Sequence, residues 1–394
     1  MTIKMKITLY YSNSPFECGG IGNWIFEVSK RLSEKHEVTL VGLESLSKKQ
    51  SPQRIRQLTV RKVQYHEFSP FKLPIGVALP NLTRLSKLIN IFNSSDVVYV
   101  IVPSYPNEAL LYLLKNCVQS KLVAGFHGQV RADSFVYAMY LPIFKYTLNA
   151  FQAYHTLNQQ TAVWLRKLGY TNVYCIPNGV DTEKFRLCAP PSKSKTFNVL
   201  YVGWLFGYKG VHTLLKIAHY LKNSELKNNI KLVICGSGPL EPEVIKASKE
   251  YGNIKNLGYV ESDSIETVYE KAHLFLLPSS MEGMPLSLLE AQSCGLPTVC
   301  SNIPGISQIV HGGNGVLSDV NDLECFVKAV KKYYSLWRSS PEEYFKLNRI
   351  IRENAVRNYD WKIHVDKFEQ MLKQTVYDKP NSLLQIVKEP HFVQ

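Results

Sequence analysis

Short apolar runs alternate with segments of helical spacing along most of this chain. Ile7 to Tyr11 reads as a strand and Val38 to Gly42 as the next. Between them lies a glycine-rich loop, Cys18-Gly19-Gly20-Ile21-Gly22, followed by Trp24, Ile25, Val28 and Leu32 at the spacing of one helix face. A strand, a glycine loop and a helix in that order can seat a phosphate, because the helix start presents unpaired amides. Asp96 to Val102, closed by Pro103, and Lys121 to Gly125, ended by Phe126-His127-Gly128, read as further buried strands. Asn198 to Gly203, Lys231 to Cys235, Leu274 to Leu277 and Thr298 to Ser301 continue the pattern in the second half. From Pro341 the spacing turns helical, and Trp361, Val365, Phe368 and Leu372 share one face of a terminal helix. This alternation predicts α/β domains with parallel sheets.

A chain of 394 residues is long for one domain and comfortable for two. The composition shifts at Cys188-Ala189-Pro190-Pro191-Ser192-Lys193-Ser194-Lys195, which reads as a linker. Residues 68 to 92 stand apart. Phe68, Phe71, Leu73, Ile75, Val77, Leu79, Leu82, Leu85, Leu88, Ile89 and Phe92 mix with Lys72, Arg84 and Lys87, and a helix can start after Pro80. Such a segment either packs on a sheet as an ordinary amphipathic helix or lies on a membrane surface.

Composition narrows the setting. No apolar run reaches the ~18 residues of a membrane helix, and Met1 to Tyr10 lead into a strand without a cleavage site, so no secretory signal is expected. The eight cysteines (18, 117, 175, 188, 235, 294, 300 and 325) are dispersed and form no Cys-x-x-Cys pair, as expected of reduced cytoplasmic thiols. The net charge of +14 is uneven: residues 1–190 carry 22 Lys and Arg against 11 Asp and Glu, and the remainder 24 against 21. A basic first half suits a phosphorylated acceptor or an anionic membrane face. No nucleic-acid motif accompanies it.

The chemistry concentrates at Pro278-Ser279-Ser280-Met281-Glu282-Gly283-Met284-Pro285-Leu286-Ser287-Leu288-Leu289-Glu290-Ala291. Leu274 to Leu277 supplies a strand before it, Pro285 can open a helix, and Gly295 with Pro297 can end it. Glu282 is then expected in the loop and Glu290 about two turns into the helix. The amides of Gly283, Met284 and Leu286 are expected at the positive helix start, which suits a phosphate. Two carboxylates beside an anion site can grip the hydroxyls of a sugar nucleotide.

This stretch resembles the Glu-x7-Glu signature of retaining glycosyltransferases of family 4. Ile176-Pro177-Asn178-Gly179-Val180-Asp181 with Phe185, and Val202-Gly203 with Lys209-Gly210, also resemble that family. The resemblance implies the GT-B fold: two facing Rossmann-like α/β domains with parallel sheets and a last helix crossing back. The corresponding boundaries are an acceptor-binding domain at 1–187, a linker at 188–197, a nucleotide-sugar domain at 198–360 and a returning helix and tail at 361–394. It implies a catalytic set of Glu282 on sugar hydroxyls, Lys209 on the diphosphate and His127 near the sugar. Glu290 would hold the ribose. Met284, Pro285 and Leu286, with Gly283 beside them, would line the diphosphate, and Gly20 would close on it. Gly258 and Tyr259 would lie by the base, and Gly236 and Gly238 would let the backbone approach. The donor would be a UDP- or GDP-sugar, and no cofactor is expected. No Asp-x-Asp is present to hold a metal, so the protein itself would supply the positive charge. The acceptor would be a glycan or lipid-linked saccharide, with peripheral contact to an anionic membrane face. A soluble glucan or sugar-phosphate synthase, or a nucleotide-sugar-binding protein that does not transfer, are the alternatives. One departure bears on the second of these: the family's arginine after Gly203 is Trp204 here, so a fork of donors is lost.

Overall fold

The computed structural model describes residues 3–16, 19–44, 52–72, 78–103, 106–128, 142–187 and 195–377. Among these residues fifteen strands form two large sheets and one small hairpin. The first sheet contains β1 (Lys6–Tyr11), β2 (Glu37–Leu43), β3 (Gln64–Phe68), β6 (Val97–Val102), β7 (Lys121–Phe126), β8 (Ala153–Thr156) and β9 (Val173–Cys175), in the order β3-β2-β1-β6-β7-β8-β9. The hairpin pairs β4 (Pro70–Lys72) with β5 (Ala78–Pro80). The second sheet contains β10 (Phe197–Val202), β11 (Ile230–Cys235), β12 (Ile254–Gly258), β13 (Leu274–Leu277), β14 (Thr298–Ser301) and β15 (Gly315–Ser318), in the order β12-β11-β10-β13-β14-β15. Every pairing in the two large sheets is parallel.

These are doubly wound sheets, and the strand order reverses beside β1 and beside β10. A crevice opens at such switch points, beyond the carboxyl ends of the strands. The loops after β1 and β10 therefore lead into it. The central strands β6 and β13 are buried along their whole length, which explains their uninterrupted apolar sequences. The Rossmann-like α/β expectation holds, and so does the crossing helix. Trp361, Val365, Phe368, Met371 and Leu372 of the terminal helix Trp361–Tyr377 lie in the core of the first sheet, with Trp24 and Tyr99. The chain crosses between sheets where Val180 and Asp360 form a parallel bridge: Val180 donates to the Tyr359 carbonyl at 2.7 Å and Trp361 to the Val180 carbonyl at 3.1 Å.

In the segment from 68 to 92 the described helix packs on the sheet, as an ordinary amphipathic helix would. This helix is Leu85–Asn93, and Leu88 and Phe92 on its apolar face are buried against Phe68, Tyr10 and Val100. Arg84 and Lys87 remain exposed. The core thus takes Leu88 and Phe92 of this helix. Residues 73–77 lie outside the described residues, as does most of the linker sequence. The last linker residue, Phe197, begins β10: it pairs with Ile230 of β11, its amide donates to the Asn229 carbonyl at 2.7 Å, and its ring stacks on His273. No helix among the described residues is long and apolar enough to cross a membrane.

Candidate active site

A cleft of about 550 Å³ opens between the two sheets. Gly20, His127, Lys209, Gly236, Tyr259, Glu282, Gly283, Met284, Pro285, Leu286 and Glu290 all line it. Gly238 and Gly258 do not. Gly238 sits on the backbone of Leu205, and the Gly258 carbonyl accepts from the Gly236 amide at 2.7 Å. These two glycines shape the turns behind the cleft wall.

Glu282 and Lys209 form its charged centre. Lys209 Nζ donates to both Glu282 oxygens, at 2.8 and 2.7 Å, and Ser279 Oγ donates to Oε1 at 2.9 Å. The Glu282 side chain is 6% exposed and that of Lys209 19%. A buried carboxylate needs such partners, since without them the cost of its desolvation goes uncompensated. The pairing also leaves Lys209 beside any anion that enters.

The helix Leu286–Ser293 begins one residue later than its proline suggested. Pro285 is extended (φ −72°, ψ 122°) and acts as N-cap, so Glu290 lies little more than one turn in. Tyr269 Oη donates to Glu290 Oε2 at 2.7 Å. Burial pushes the Glu290 carboxyl above its usual range, while the Tyr269 hydrogen bond and the Lys184 charge pull it back.

The loop before this helix is tied to the first sheet's side by asparagines. Asn158 Nδ2 donates to the Gly283 carbonyl at 3.1 Å, and Asn178 Nδ2 to the Met284 carbonyl at 2.8 Å. Gly283 permits this approach, because a Cβ there would meet the His127 carbonyl oxygen at 2.4 Å. Across the cleft His127 packs edge-on to Trp24, with ring centroids 4.4 Å apart. Burial holds its imidazole well below its ordinary pKa, helped by His155 and His364.

Trp204 also lines the cleft, with its indole nitrogen against Gly19. No fork of donors replaces it on its own loop, but one reaches the cleft from the other side. Arg54, in the helix Pro52–Val60, donates through Nη2 to Asn23 Oδ1 and, at 2.9 Å, to Ser262 Oγ on the second sheet's side. Its Nη1 is buried without a partner among the described residues. Sequence reasoning missed Arg54, Asn158 and Tyr269. Arg54 looks no different in sequence from Arg56 or Arg61; only Asn178 lay in a motif that could have signalled it. Among the described residues, no three His, Cys, Asp or Glu side chains gather as a metal site.

The cleft's two walls correspond to two family matches. The Glycosyltransferase Family 4 profile matches residues 18–184, and the Glycosyl transferases group 1 profile matches residues 188–357. An uncharacterized glycosyltransferase of Haemophilus influenzae is 31% identical over 193 residues, 48% of this chain and 52% of the relative. The UDP-Gal:alpha-D-GlcNAc-diphosphoundecaprenol alpha-1,3-galactosyltransferase of Escherichia coli is 30% identical over 219 residues, 52% of this chain and 54% of the relative. The chain thus spans about half the length of these curated relatives. The crystal structure of Anabaena Alr3699/HepE in complex with UDP-glucose superposes with a TM-score of 0.73, covering 94% of this chain and 100% of that one. At 17% identity that likeness speaks for the fold alone. The two matches adjoin and together span residues 18–357, so this chain belongs to glycosyltransferase family 4.

Proposed function

We propose that this protein transfers a sugar, with retention and without a metal, from a nucleotide-diphosphate sugar to an acceptor hydroxyl. The observation that carries the reading is the buried Lys209–Glu282–Ser279 cluster at the foot of the helix Leu286–Ser293, facing His127 across the cleft.

The anomeric carbon–oxygen bond breaks, and negative charge develops on the departing diphosphate. Lys209 and the amides at the helix start stabilise that charge. Arg54 offers a further cationic donor, Nη1, which has no partner among the described residues. The acceptor oxygen bonds to the anomeric carbon from the same face, and its proton passes to the leaving phosphate oxygen. No protein nucleophile is needed, so Glu282 orients sugar hydroxyls and offsets the developing positive charge on the ring. Glu290, braced by Tyr269, accepts from the ribose hydroxyls.

The basic first half and the likeness to a galactosyltransferase whose name specifies a diphosphoundecaprenol-linked acceptor support a lipid-linked saccharide as acceptor. Burial of Leu88 and Phe92 favours one other reading, a soluble acceptor such as a glucan or sugar phosphate.

A thermal-shift screen of nucleotide sugars tests the donor. A ligand that binds only the folded protein raises its unfolding temperature. Stabilisation by a nucleotide-diphosphate sugar, lost in Lys209→Met, is expected. A flat response to every nucleotide sugar refutes the donor site.

A further inference from the structure

Behind His127 runs a chain of buried hydrogen bonds whose direction is fixed at its far end. His155 Nε2 lies 2.9 Å from the Ile176 carbonyl. A carbonyl can only accept, so Nε2 carries the proton. Burial pushes the His155 pKa down to about 4, which keeps the ring neutral and leaves Nδ1 bare. Tyr99 Oη lies 2.6 Å from that Nδ1 and must donate to it. A hydroxyl has one proton to give. Its oxygen therefore accepts from the third member, His127 Nε2, at 2.8 Å.

We propose that Tyr99 and His155 are positioning residues that hold His127 as its Nε2–H tautomer, presenting a bare Nδ1 to the cleft as a hydrogen-bond acceptor for a substrate hydroxyl.

The surroundings are built to keep this direction. Tyr99 and His155 are fully buried in β6 and β8, so no solvent competes for the hydroxyl. Gly125 on β7 makes room, because a Cβ there would lie 1.9 Å from Tyr99 Oη. The neighbouring brace repeats the logic. His364 Nδ1 donates to the Pro177 carbonyl at 2.6 Å, so its Nε2 accepts from Trp24 Nε1 at 3.1 Å. Trp24 is thereby fixed against the His127 ring. His127 Nδ1 has no partner among the described residues, and His127, unlike Tyr99, His155 and His364, lines the cleft. In this tautomer the cleft-facing nitrogen has no proton to give. His127 thus takes a hydrogen bond from a hydroxyl and cannot serve as a general acid there.

The inference rests on the transfer reading only for the identity of the hydroxyl; the tautomer stands without it. The test is long-range 1H–15N correlation spectroscopy on the whole protein with 15N-labelled histidine, with His127 assigned from His127→Gln. The expected wild-type pattern is protonated Nε2 and bare Nδ1. Tyr99→Phe removes one oxygen, and His127 should then populate both tautomers. His155→Phe should do something a merely structural role would not: the Tyr99 hydroxyl, having lost its acceptor, turns to donate to His127 Nε2 and drives the proton to Nδ1. His364, outside this relay, should keep its pattern throughout. Protonated Nδ1 in the wild type, or a His127 pattern unmoved in Tyr99→Phe, overturns the proposal; if His155→Phe does not fold, Tyr99→Phe decides alone. A sound tautomer result with no sugar transfer would count against the functional reading and leave this one standing. Perturbation of Nδ1 by UDP-sugar alone would assign the hydroxyl to the donor. Perturbation only on adding acceptor would assign it there.

Discussion

Replacing Lys209 with methionine should damage folding and chemistry by separable amounts. Lys209 Nζ is bonded to both oxygens of a carboxylate whose side chain is only 6% exposed. Without it, Glu282 keeps one donor, Ser279 Oγ. Removing one partner of a buried pair costs about 3–5 kcal/mol, because the other charge is left desolvated. For a domain of this size 1 kcal/mol moves the unfolding temperature by roughly 2–4 °C, so a fall on the order of 10 °C is expected. Changing Glu282 to glutamine in the same protein removes the stranded charge, and most of that loss should return. Activity should not return. Loss of one charge-stabilising group costs about a hundredfold in turnover, and the double variant lacks two groups assigned to the reaction. The assays are thermal unfolding and initial rates with the donor found by screening, on wild type, both single variants and the double. Recovery of stability without recovery of rate is the expected signature. Near-wild-type turnover in Lys209→Met, or a double variant no more stable than the single, would refute the reasoning.

Three other outcomes are expected. Glu290 must be ionised to accept ribose hydroxyls, and its carboxyl titrates above the usual range. Nucleotide affinity should therefore rise with pH through that raised value and fall as pH drops below it, whereas Glu290→Gln should bind weakly with a flat profile by calorimetry; a flat wild-type profile would remove the ribose assignment. Arg54→Ala should weaken a nucleoside diphosphate by about tenfold or more, the scale of a charged hydrogen bond, and leave the bare nucleoside unchanged; equal loss for both would place Arg54 away from phosphate. Cosedimentation with anionic vesicles should fall steeply with salt and weaken further in an Arg84→Glu, Lys87→Glu variant, since each basic residue contributes about 1 kcal/mol at such a surface and the apolar face beside them is buried; salt-resistant binding would require an apolar contact elsewhere.

The sequence was most legible where burial is complete. β13 and β14 begin and end at the residues that their apolar runs and flanking turns indicated. Edge strands were not visible. β3 reads Gln-Tyr-His-Glu-Phe, and β12 and β15 are largely half-buried, so neither a continuous apolar run nor a clean alternation marks them. The carboxylates, the lysine and the cleft histidine were found because a motif carried them. Their supports were not. Tyr99 sits inside the apolar run of β6, where pattern alone makes it look like any core aromatic, and its role depends on β8 placing His155 within 2.6 Å. Arg54 matters through Ser262, 208 positions away. Such contacts belong to the pairing of sheets and domains, which local periodicity does not encode.

The central claim is transfer with retention and no metal, and proton NMR of the reaction tests it most directly. The wild-type enzyme, stripped in EDTA, would be given its nucleotide-diphosphate sugar and an acceptor, and the anomeric signal of the first-formed product would be followed. The account predicts undiminished turnover and a product with the donor's anomeric configuration. An inverted product, or activity lost to chelator and restored by magnesium or manganese, would contradict it.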